Sequence, residues 1–207
     1  MSGLDEPKRG KLMVDSADEA PGWDAIEAAV ATRVKDTNPL HWGSNILPGQ
    51  AGLYGLSAYR SDGYWLLVTF GMTELFAKES DDQDVSGWGC ELTMRVPMDA
   101  DQPPAWALRL LERLVNYVFD SGRPFAEGHR LDPAGPITGE ANTRLTAVAF
   151  AADPELPPIA SPYGSARFLT VVGITADELE RMKATTTAAV LRDLADRTPT
   201  LVTDPAR

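Results

Sequence analysis

The sequence predicts an α+β domain in which helices pack on a mixed, mostly antiparallel sheet. Some segments carry apolar residues at helical spacing and others alternate apolar and polar residues at strand spacing. Along the chain they follow the order helix, strands, helix, strands, helix. Because strands that are close in sequence usually lie side by side, this order favours antiparallel neighbours with helices covering the sheet.

The first helix is expected from Trp23 to about Lys35. One apolar stripe runs along it at spacings of three and four residues, formed by Trp23, Ile26, Val30 and Val34. The helix is expected to end before Pro39, because the residue before a proline is disfavoured in the helical conformation. We therefore expect this helix to lie with its apolar stripe on the sheet.

Two strands are expected at Leu53–Tyr59 and Tyr64–Phe70, joined by a turn at 61–63. The turn contains Asp-Gly, a pair that accepts the positive φ angles of a tight hairpin. The second strand is apolar on both faces, which is typical of a central strand that is covered on both sides.

A third strand is expected at Cys90–Val96, where apolar and polar residues alternate. Glu91, Thr93 and Arg95 share one face of this strand, because successive side chains point to opposite sides of a sheet. The alternation predicts one buried face and one face in water.

Two further helices bracket the second half of the chain. One is expected from Asp101 to about Asp120, ended by Gly122. The other is expected from Thr175 to about Asp196, opened by a capping box in which Glu178 follows Thr175 by three residues. A long loop at 122–143 and strands at Arg144–Ala151 and Arg167–Ile174 complete the prediction.

Composition and charge exclude several classes of protein. The 207 residues have 43% hydrophobic and 24% charged residues, as expected for one globular domain. A net charge of −11 disfavours binding to nucleic acid, and no apolar run is long enough to span a membrane. We expect a flexible arm at 1–20, one domain at 21–198 and a tail at 199–207. Since no signal peptide is evident, the expected location is cytoplasmic.

Few residues offer catalytic or metal-binding chemistry. The chain has two histidines, His41 and His129, and one cysteine, Cys90. The histidines lack the spacing of a metal motif, and Cys90 lies on the apolar side of its predicted strand. We therefore predict no catalytic residue, no cofactor and no metal site.

Four segments form a distinctive series along the chain. They are AYRSDGYWLLVTFG at 58–71 followed by Glu74 and Leu75, SGWGCELTMR at 86–95, PPAWALRLL at 103–111 and YVFDSG at 117–122. The series resembles the suppressor of fused (SUFU) domain family in its single-domain bacterial form, over about 38–197. The resemblance implies a SUFU-like α+β fold and a binding protein rather than an enzyme. The family commonly has a bulky aromatic residue at the position of Cys90, which argues against catalysis there.

The resemblance also implies a kind of partner. In eukaryotic members a second domain follows this one, and the pair clamps a transcription-factor peptide as an added strand. We expect no second domain here, although strand addition to a sheet edge stays available. Bacterial members are associated with toxin–immunity loci, which implies an immunity-type protein that neutralises a cognate toxin by stoichiometric binding. The acidic charge suits a basic toxin such as a nuclease.

Two alternatives to an immunity-type protein remain open from the sequence, a regulatory adaptor and a hydrolase. A regulatory adaptor would sequester a peptide segment of a cellular protein and would need a long exposed strand edge. An immunity-type protein that mimics nucleic acid would instead need a cluster of carboxylates on one face. A hydrolase would need His41 or His129 beside a nucleophile in a concave pocket.

The candidate partner-binding residues combine loop aromatics with charges that are expected to be exposed. They are Trp42, Asp62, Glu74, Trp88, Glu91, Arg123 and His129, with Arg95, Glu127 and Arg130 as further exposed charges. The two tryptophans are equally compatible with anchoring a partner and with covering the core. The basic residues of the long loop either pair internally with Glu127 and Asp132 or meet carboxylates of a partner. Tyr163 is either a contact or a plug.

Overall fold

A computed structural model describes residues 6–9, 19–44, 46 and 50–207. The helices are α1 (Pro21–Ala31), α2 (Ala105–Ser121), α3 (Ala176–Ala184) and α4 (Thr187–Arg197). The strands are β1 (Lys8–Arg9), β2 (Leu40–Gly43), β3 (Gly55–Arg60), β4 (Tyr64–Phe70), β5 (Val85–Pro97), β6 (Arg130–Leu131), β7 (Leu145–Ala152), β8 (Ile159–Ser161) and β9 (Gly164–Thr175). None of the described helices is long and apolar enough to cross a membrane.

The strands form a single sheet in the order β1-β2-β3-β4-β5-β9-β7-β6, with β8 paired to the start of β9. β5 and β9 run parallel, and every other pairing in the described part of the chain is antiparallel. The predicted α+β class and the mixed, mostly antiparallel sheet are therefore confirmed. The predicted hairpin also forms, since Ser61 N–H donates to Tyr64 O at 3.0 Å and Gly63 has a φ of 85°.

Helices cover both faces of this sheet. α1 packs through Trp23, which stacks on Phe70 of β4 with ring centroids 4.1 Å apart. α2 covers the opposite face. Along β9, Phe168 packs toward α1 and Val172 toward α3 and α4, while Leu169 between them packs toward α2. α1, α3 and α4 therefore share one face, and the centre of the sheet is buried on both sides.

The prediction of a wet face on β5 is wrong. Glu91, Thr93 and Arg95 are as buried as the apolar residues that alternate with them. β5 lies at the centre of the sheet, and the connection after β7 covers this face of it. Alternation therefore marks two chemically different buried faces here, because burial of polar groups is tolerated where each group is paired.

The hydrogen bonds among these buried polar side chains centre on Arg95. Its guanidinium donates to both carboxylate oxygens of Asp153 at 2.8 and 2.9 Å, and to Glu155 at 3.1 Å. Thr93 Oγ1 donates to Asp153 at 2.5 Å, and Tyr64 O–H donates to Glu155 at 2.8 Å. Burial opposes the charge of Asp153, but the hydrogen bonds from Arg95 outweigh it and lower the pKa of this carboxyl.

The single last helix predicted from Thr175 to Asp196 is two helices. The capping box at the start is confirmed, since Glu178 N–H donates to Thr175 Oγ1 at 3.2 Å and Thr175 N–H donates to Glu178 Oε2 at 2.8 Å. The chain then leaves the helical conformation at Thr185 and Thr186, and Thr186 Oγ1 accepts from Ala189 N–H at 3.1 Å to start α4. Threonines compete with helical hydrogen bonds and favour caps, which explains the break.

Residues of the predicted arm and of the predicted tail contact the domain. Lys8 and Arg9, within the predicted arm, pair with β2 as β1, whereas residues 1–5 and 10–18 of that arm lie outside the described residues. In the predicted tail, Thr203 N–H donates to Arg95 O at 2.8 Å, and Arg207 donates to Glu178 at 2.6 Å. These two hydrogen bonds place Thr203 and Arg207 against the domain.

Candidate partner-binding site

A groove of about 520 Å³ opens at the end of the sheet where β4 ends and the chain enters the following loop. Mainly apolar and aromatic side chains line it, together with the loop that follows β4. We call it the aromatic groove and define it by Tyr54, Met72, Glu74, Phe76, Trp88 and Phe119. Its aromatic rings contact each other in pairs, with centroids 5.1 Å apart for Tyr54 and Phe76 and 5.8 Å apart for Trp88 and Phe119.

Glu91 fixes the floor of the aromatic groove from below. Its Oε1 accepts from Gly71 N–H at 3.0 Å, Thr73 N–H at 2.9 Å and Thr73 Oγ1 at 2.7 Å. Its Oε2 accepts from Thr69 Oγ1 at 2.6 Å. Burial raises the pKa of Glu91, while these four donors act in the opposite direction. One buried carboxyl group therefore supplies the acceptors for the turn that begins the groove loop.

Glu74 fixes the wall of the aromatic groove in the same way. Its carboxylate accepts from Lys78 Nζ at 2.9 Å and from the N–H groups of Glu79, Ser80 and Gly87 at 2.7, 2.6 and 3.1 Å. Burial alone would raise its pKa, but these hydrogen bonds outweigh burial and lower the pKa to about 2. The loop is therefore held in one conformation by an ionised carboxylate.

This network predicts a pH-dependent stability. Since the pKa of Glu74 falls from 4.5 to about 2 on folding, its ionised form stabilises the fold fully above pH 4.5 and loses that effect as pH falls toward 2. We expect Glu74→Gln to lower the free energy of unfolding by about 2–3 kcal/mol at pH 7 and to have little effect near pH 2. Urea unfolding of both proteins across this pH range measures the difference.

The matched control for this prediction is Glu140→Gln. Glu140 is exposed in the long loop, so its replacement is expected to leave stability unchanged at every pH. A Glu74→Gln penalty that stays constant from pH 7 to pH 2 would contradict the assignment of an ionised Glu74.

Trp88 lies at the mouth of the groove because of the glycines on either side of it. Gly87 and Gly89 have φ angles of 52° and 75°, and a Cβ atom on Gly87 would lie 2.6 Å from Met72 O. The close approach allows Trp88 N–H to donate to Met72 O at 2.8 Å. The Gly-Trp-Gly sequence thus forms an irregular part of β5, where the register with β9 shifts, and glycine permits the positive φ angles on either side of the indole ring.

Exposed carboxylates begin at one wall of the aromatic groove, where Glu79 lines it, and continue along the next residues of the same loop. We call them the acidic rim, which consists of Glu79, Asp81, Asp82 and Asp84. Lys78, the lysine of the same loop, is held by Glu74 and by the carbonyl oxygens of Val85 and Tyr163, at 2.9, 2.6 and 3.0 Å. The rim therefore gives this side of the groove a negative potential that favours cationic groups.

The family profile of suppressor of fused protein (SUFU) matches residues 49–207. The chain belongs to the SUFU family. The human and mouse suppressor of fused homologs are 28% identical to it over 148 residues, which is 64% of this chain and 30% of each relative. The chain thus spans less than a third of the length of these curated relatives.

Solved structures agree with this assignment. Drosophila suppressor of fused matches with a TM-score of 0.81 and 26% identity over 92% of this chain and 51% of its own. A chain of the Sufu–Fu complex matches with a TM-score of 0.81 and 26% identity over 91% of both chains. A SUFU homolog from Neisseria gonorrhoeae has a TM-score of 0.59 at 14% identity over 89% of this chain and 93% of its own, which supports the fold.

Three of the predicted contact residues of this SUFU domain are buried. Trp42 is in β2 and 6% exposed, so of the two roles that the sequence left open it covers the core under α2, and it lies in a strand instead of the expected loop. Glu91 is 1% exposed and Arg95 is fully buried, so neither is a surface charge. The neighbouring glycine of Trp42 suggested a loop, but β1 and β3 pair with β2 on both sides.

The structure brings two predicted residues together at the groove of the SUFU domain, Glu74 and Trp88. Asp62 is exposed in the β3–β4 turn, at the other end of those strands. Arg123 and His129 are exposed in the loop after α2, and Glu127 lies between them. Asp62, Arg123 and His129 are therefore separate from the groove, and the seven candidate residues do not form one site.

The sequence left open whether the basic residues of the long loop pair with Glu127 and Asp132. Arg130 donates to Thr187 Oγ1 at 3.2 Å, and among the described residues no ion pair joins the basic side chains of this loop to Glu127 or Asp132. Tyr163 acts as a plug, since its O–H donates to Phe76 O at 2.5 Å beneath the groove loop.

The reactive side chains of the SUFU domain lie apart. His41 is in β2 and His129 precedes β6, near opposite edges of the sheet. His41 Nδ1 lies 2.6 Å from Ser57 Oγ, but Ser57 is fully buried and does not line the aromatic groove. Burial raises the pKa of the Cys90 thiol to about 12. Within the described residues no group of three or more His, Cys, Asp or Glu side chains could hold a metal ion.

Sequence reasoning missed most of the groove. Tyr54, Met72, Phe76 and Phe119 come from three separate segments that meet only in the folded chain, since Met72 and Phe76 share the loop after β4. Glu91 carried no local signal of burial, because the alternation of polar and apolar residues in its strand is typical of a face in water. A buried carboxyl group needs donors, and the adjoining loop supplies them.

Proposed function

We propose that this SUFU domain is a cytoplasmic immunity-type protein that neutralises a cognate basic toxin by stoichiometric binding. The partner would place an apolar side chain in the aromatic groove and set its cations against the acidic rim. The observation that carries the proposal is an aromatic groove whose lining includes the exposed Glu79, the first carboxylate of the loop that carries the acidic rim.

The groove has the physical features of a binding hot spot. Its aromatic side chains are half-buried, and its loop is held in place by Glu74 and Glu91 before any partner arrives. A rigid apolar pocket lowers the entropy lost on binding, so more of the contact energy appears as affinity. The acidic rim adds long-range attraction, which speeds the encounter with a basic protein.

The shape of the sheet supports this proposal over the regulatory adaptor. An adaptor that adds a peptide as a strand needs a long free edge. In the described part of the chain the outermost strands β1 and β6 have two residues each, and β8 has three. Loop backbone also bonds to β7, since Phe150 N–H donates to His129 O and Gly128 N–H donates to Phe150 O. The cluster of exposed carboxylates that an inhibitor of a basic toxin needs is present, in contrast, as the acidic rim.

Relatives support partner binding at the level of the domain. A chain of the Sufu–Fu complex aligns with 91% of this chain, so a closely similar domain occurs in a protein complex. The partner proposed here differs because it follows from the charge and the groove of this chain.

Charge reversal of the rim tests the proposal. Glu79→Lys with Asp81→Lys changes two exposed side chains whose carboxylates make no hydrogen bond among the described residues. We expect the affinity for the partner captured from the native cell to fall by at least about tenfold, mainly through a slower association rate. Surface plasmon resonance at two salt concentrations measures both rates.

Glu140→Lys with Asp196→Lys is the matched control, since it alters net charge equally at exposed sites on other elements. We expect its affinity to stay within about twofold of the parent protein. Equal losses in both double variants would mean that net charge acts without a site. Capture of a regulatory protein through a short segment, unaffected by either variant, would favour the adaptor and contradict the immunity proposal.

A further inference from the structure

Four aromatic rings line the aromatic groove, and they meet in pairs at large angles. The ring planes of Tyr54 and Phe76 are inclined by 59°, and those of Trp88 and Phe119 by 85°. All four residues are partly exposed and line the groove, so a ligand from solvent reaches them. The face of an aromatic ring carries partial negative charge and attracts a cation within about 6 Å of its centre. Rings at large angles give such a cation more than one wall to contact.

Glu79 gives the aromatic groove a negative charge that no other side chain neutralises. It lines the groove and is exposed, and its backbone N–H, not its carboxylate, bonds to Glu74 at 2.7 Å. Among the described residues no ion pair involves this carboxylate, and no lysine, arginine or histidine lines the groove. The charge of Glu79 is therefore available to a ligand, whereas the charge of Glu74 is already paired with Lys78.

The hydrogen-bond acceptors in the wall of the groove are largely used. Met72 O accepts from Trp88 N–H at 2.8 Å, and Phe76 O accepts from Tyr163 O–H at 2.5 Å. Each carboxylate oxygen of Glu74 accepts two hydrogen bonds. A primary ammonium group would lose water at its three N–H donors here and find few acceptors in return. A quaternary ammonium group has no N–H donor, so it enters the groove without that cost.

We propose that the aromatic groove binds a small quaternary ammonium compound, a trimethylammonium group on a short chain. Its methyl groups contact the four rings, and its charge faces the carboxylate of Glu79. The volume of about 520 Å³ lies within the range of roughly 300–1,000 Å³ that is typical of small-molecule sites, so the groove holds such a compound whole. The inference rests on the proposed function in one consequence only, namely that the bound compound competes with a protein partner for the groove.

Choline chloride is the probe, and the indole N–H signals of ¹⁵N-labelled protein at pH 7.5 are the readout. Trp88→Phe identifies the signal of Trp88 by its disappearance. We expect a saturable shift of this signal as choline is added. The indole signal of Trp65 is the internal reference and is expected to stay unchanged, because Trp65 lies at the other end of β4, where its indole N–H donates to Ala100 O at 3.3 Å.

Three control compounds separate charge from shape and from hydrogen bonding. The neutral alcohol 3,3-dimethylbutan-1-ol has the shape of choline without its charge. Ethanolamine keeps the charge and the hydroxyl group of choline but has N–H donors in place of the methyl groups. We expect each of these two compounds to bind at least about fivefold more weakly than choline. Sodium chloride at equal ionic strength is expected to give no saturable shift.

Two variants test the rings and the carboxylate separately. Phe119→Leu keeps an apolar side chain without a ring, and we expect it to raise the dissociation constant for choline by about fivefold. Glu79→Gln removes the charge of an exposed side chain and is expected to raise the dissociation constant by about threefold. Glu140→Gln changes an exposed carboxylate elsewhere and is expected to bind choline as the parent protein does. The amide spectrum of each variant shows whether its fold is preserved.

Three results would overturn the proposal. They are the absence of a saturable change at Trp88, an equal change at Trp65, and binding of the neutral alcohol or of ethanolamine as tight as that of choline. Tighter binding of a trimethyllysine peptide than of choline would assign the groove to a methylated protein segment instead of a small compound. Because the titration contains no partner protein, failure of choline to bind is separate from failure of the proposed function, which the rim variants test.

Discussion

Asp153→Ala is expected to lower the free energy of unfolding by about 3–5 kcal/mol, a large share of the stability of a domain of this size. The carboxylate of Asp153 neutralises the fully buried Arg95 with two hydrogen bonds. Its removal leaves Arg95 with Glu155 alone, and the N–H groups of Glu155 and Leu156 lose their acceptor. Urea or thermal unfolding measures the loss.

A double-mutant cycle separates the ion pair from simple loss of packing. In Arg95→Met with Asp153→Ala both charges are absent, so we expect the double variant to be more stable than the sum of the two single effects predicts. Asp193→Ala removes the exposed ion pair with Arg181 and is the control, with an expected loss below about 1 kcal/mol. A loss for Asp153→Ala as small as that of the control would show the buried pair to be dispensable.

Glu91→Ala is the second change with a large expected effect. It leaves the buried N–H groups of Gly71 and Thr73 and the hydroxyl groups of Thr69 and Thr73 without their acceptor. We expect the free energy of unfolding to fall by about 2–4 kcal/mol. We also expect the turn at 71–73 to open locally, because these bonds hold it to β5.

Hydrogen exchange distinguishes local opening from global loss of stability. In Glu91→Ala the amides of Gly71 and Thr73 are expected to exchange faster than those of β7 and β9, which lie away from the turn. Glu91→Gln keeps the shape and one acceptor oxygen and is expected to lose about half as much stability. Uniformly faster exchange over the whole sheet, or no change at the turn, would contradict a local role for Glu91.

The strongest local signals in the sequence predicted the elements that they encode. The Asp-Gly turn, the apolar strand Tyr64–Phe70 and the capping box of Thr175 and Glu178 are all present. Each depends on backbone preferences or on contacts within a few residues, so the surrounding fold changes them little. The helix expected from Thr175 to Asp196 was interrupted for a local reason as well, since its threonines form a second cap.

Burial of polar residues could not be predicted in this way. The sequence placed Glu91 and Arg95 at the surface because charged residues are rarely buried without partners. Their partners are Thr73 and Asp153, which lie 18 and 58 residues away along the chain. Whether a charge can be buried depends on these distant groups, and the alternation of one strand carries no information about them.

The sequence by itself determined the α+β class, the family and the acidic charge, because periodicity, motif order and composition are properties of the linear chain. The tertiary structure alone decided the candidate sites. The aromatic groove joins Tyr54, Phe76, Trp88 and Phe119 from separate segments. A site is a set of distances between side chains, and those distances exist only once the sheet has paired and the helices have packed on it.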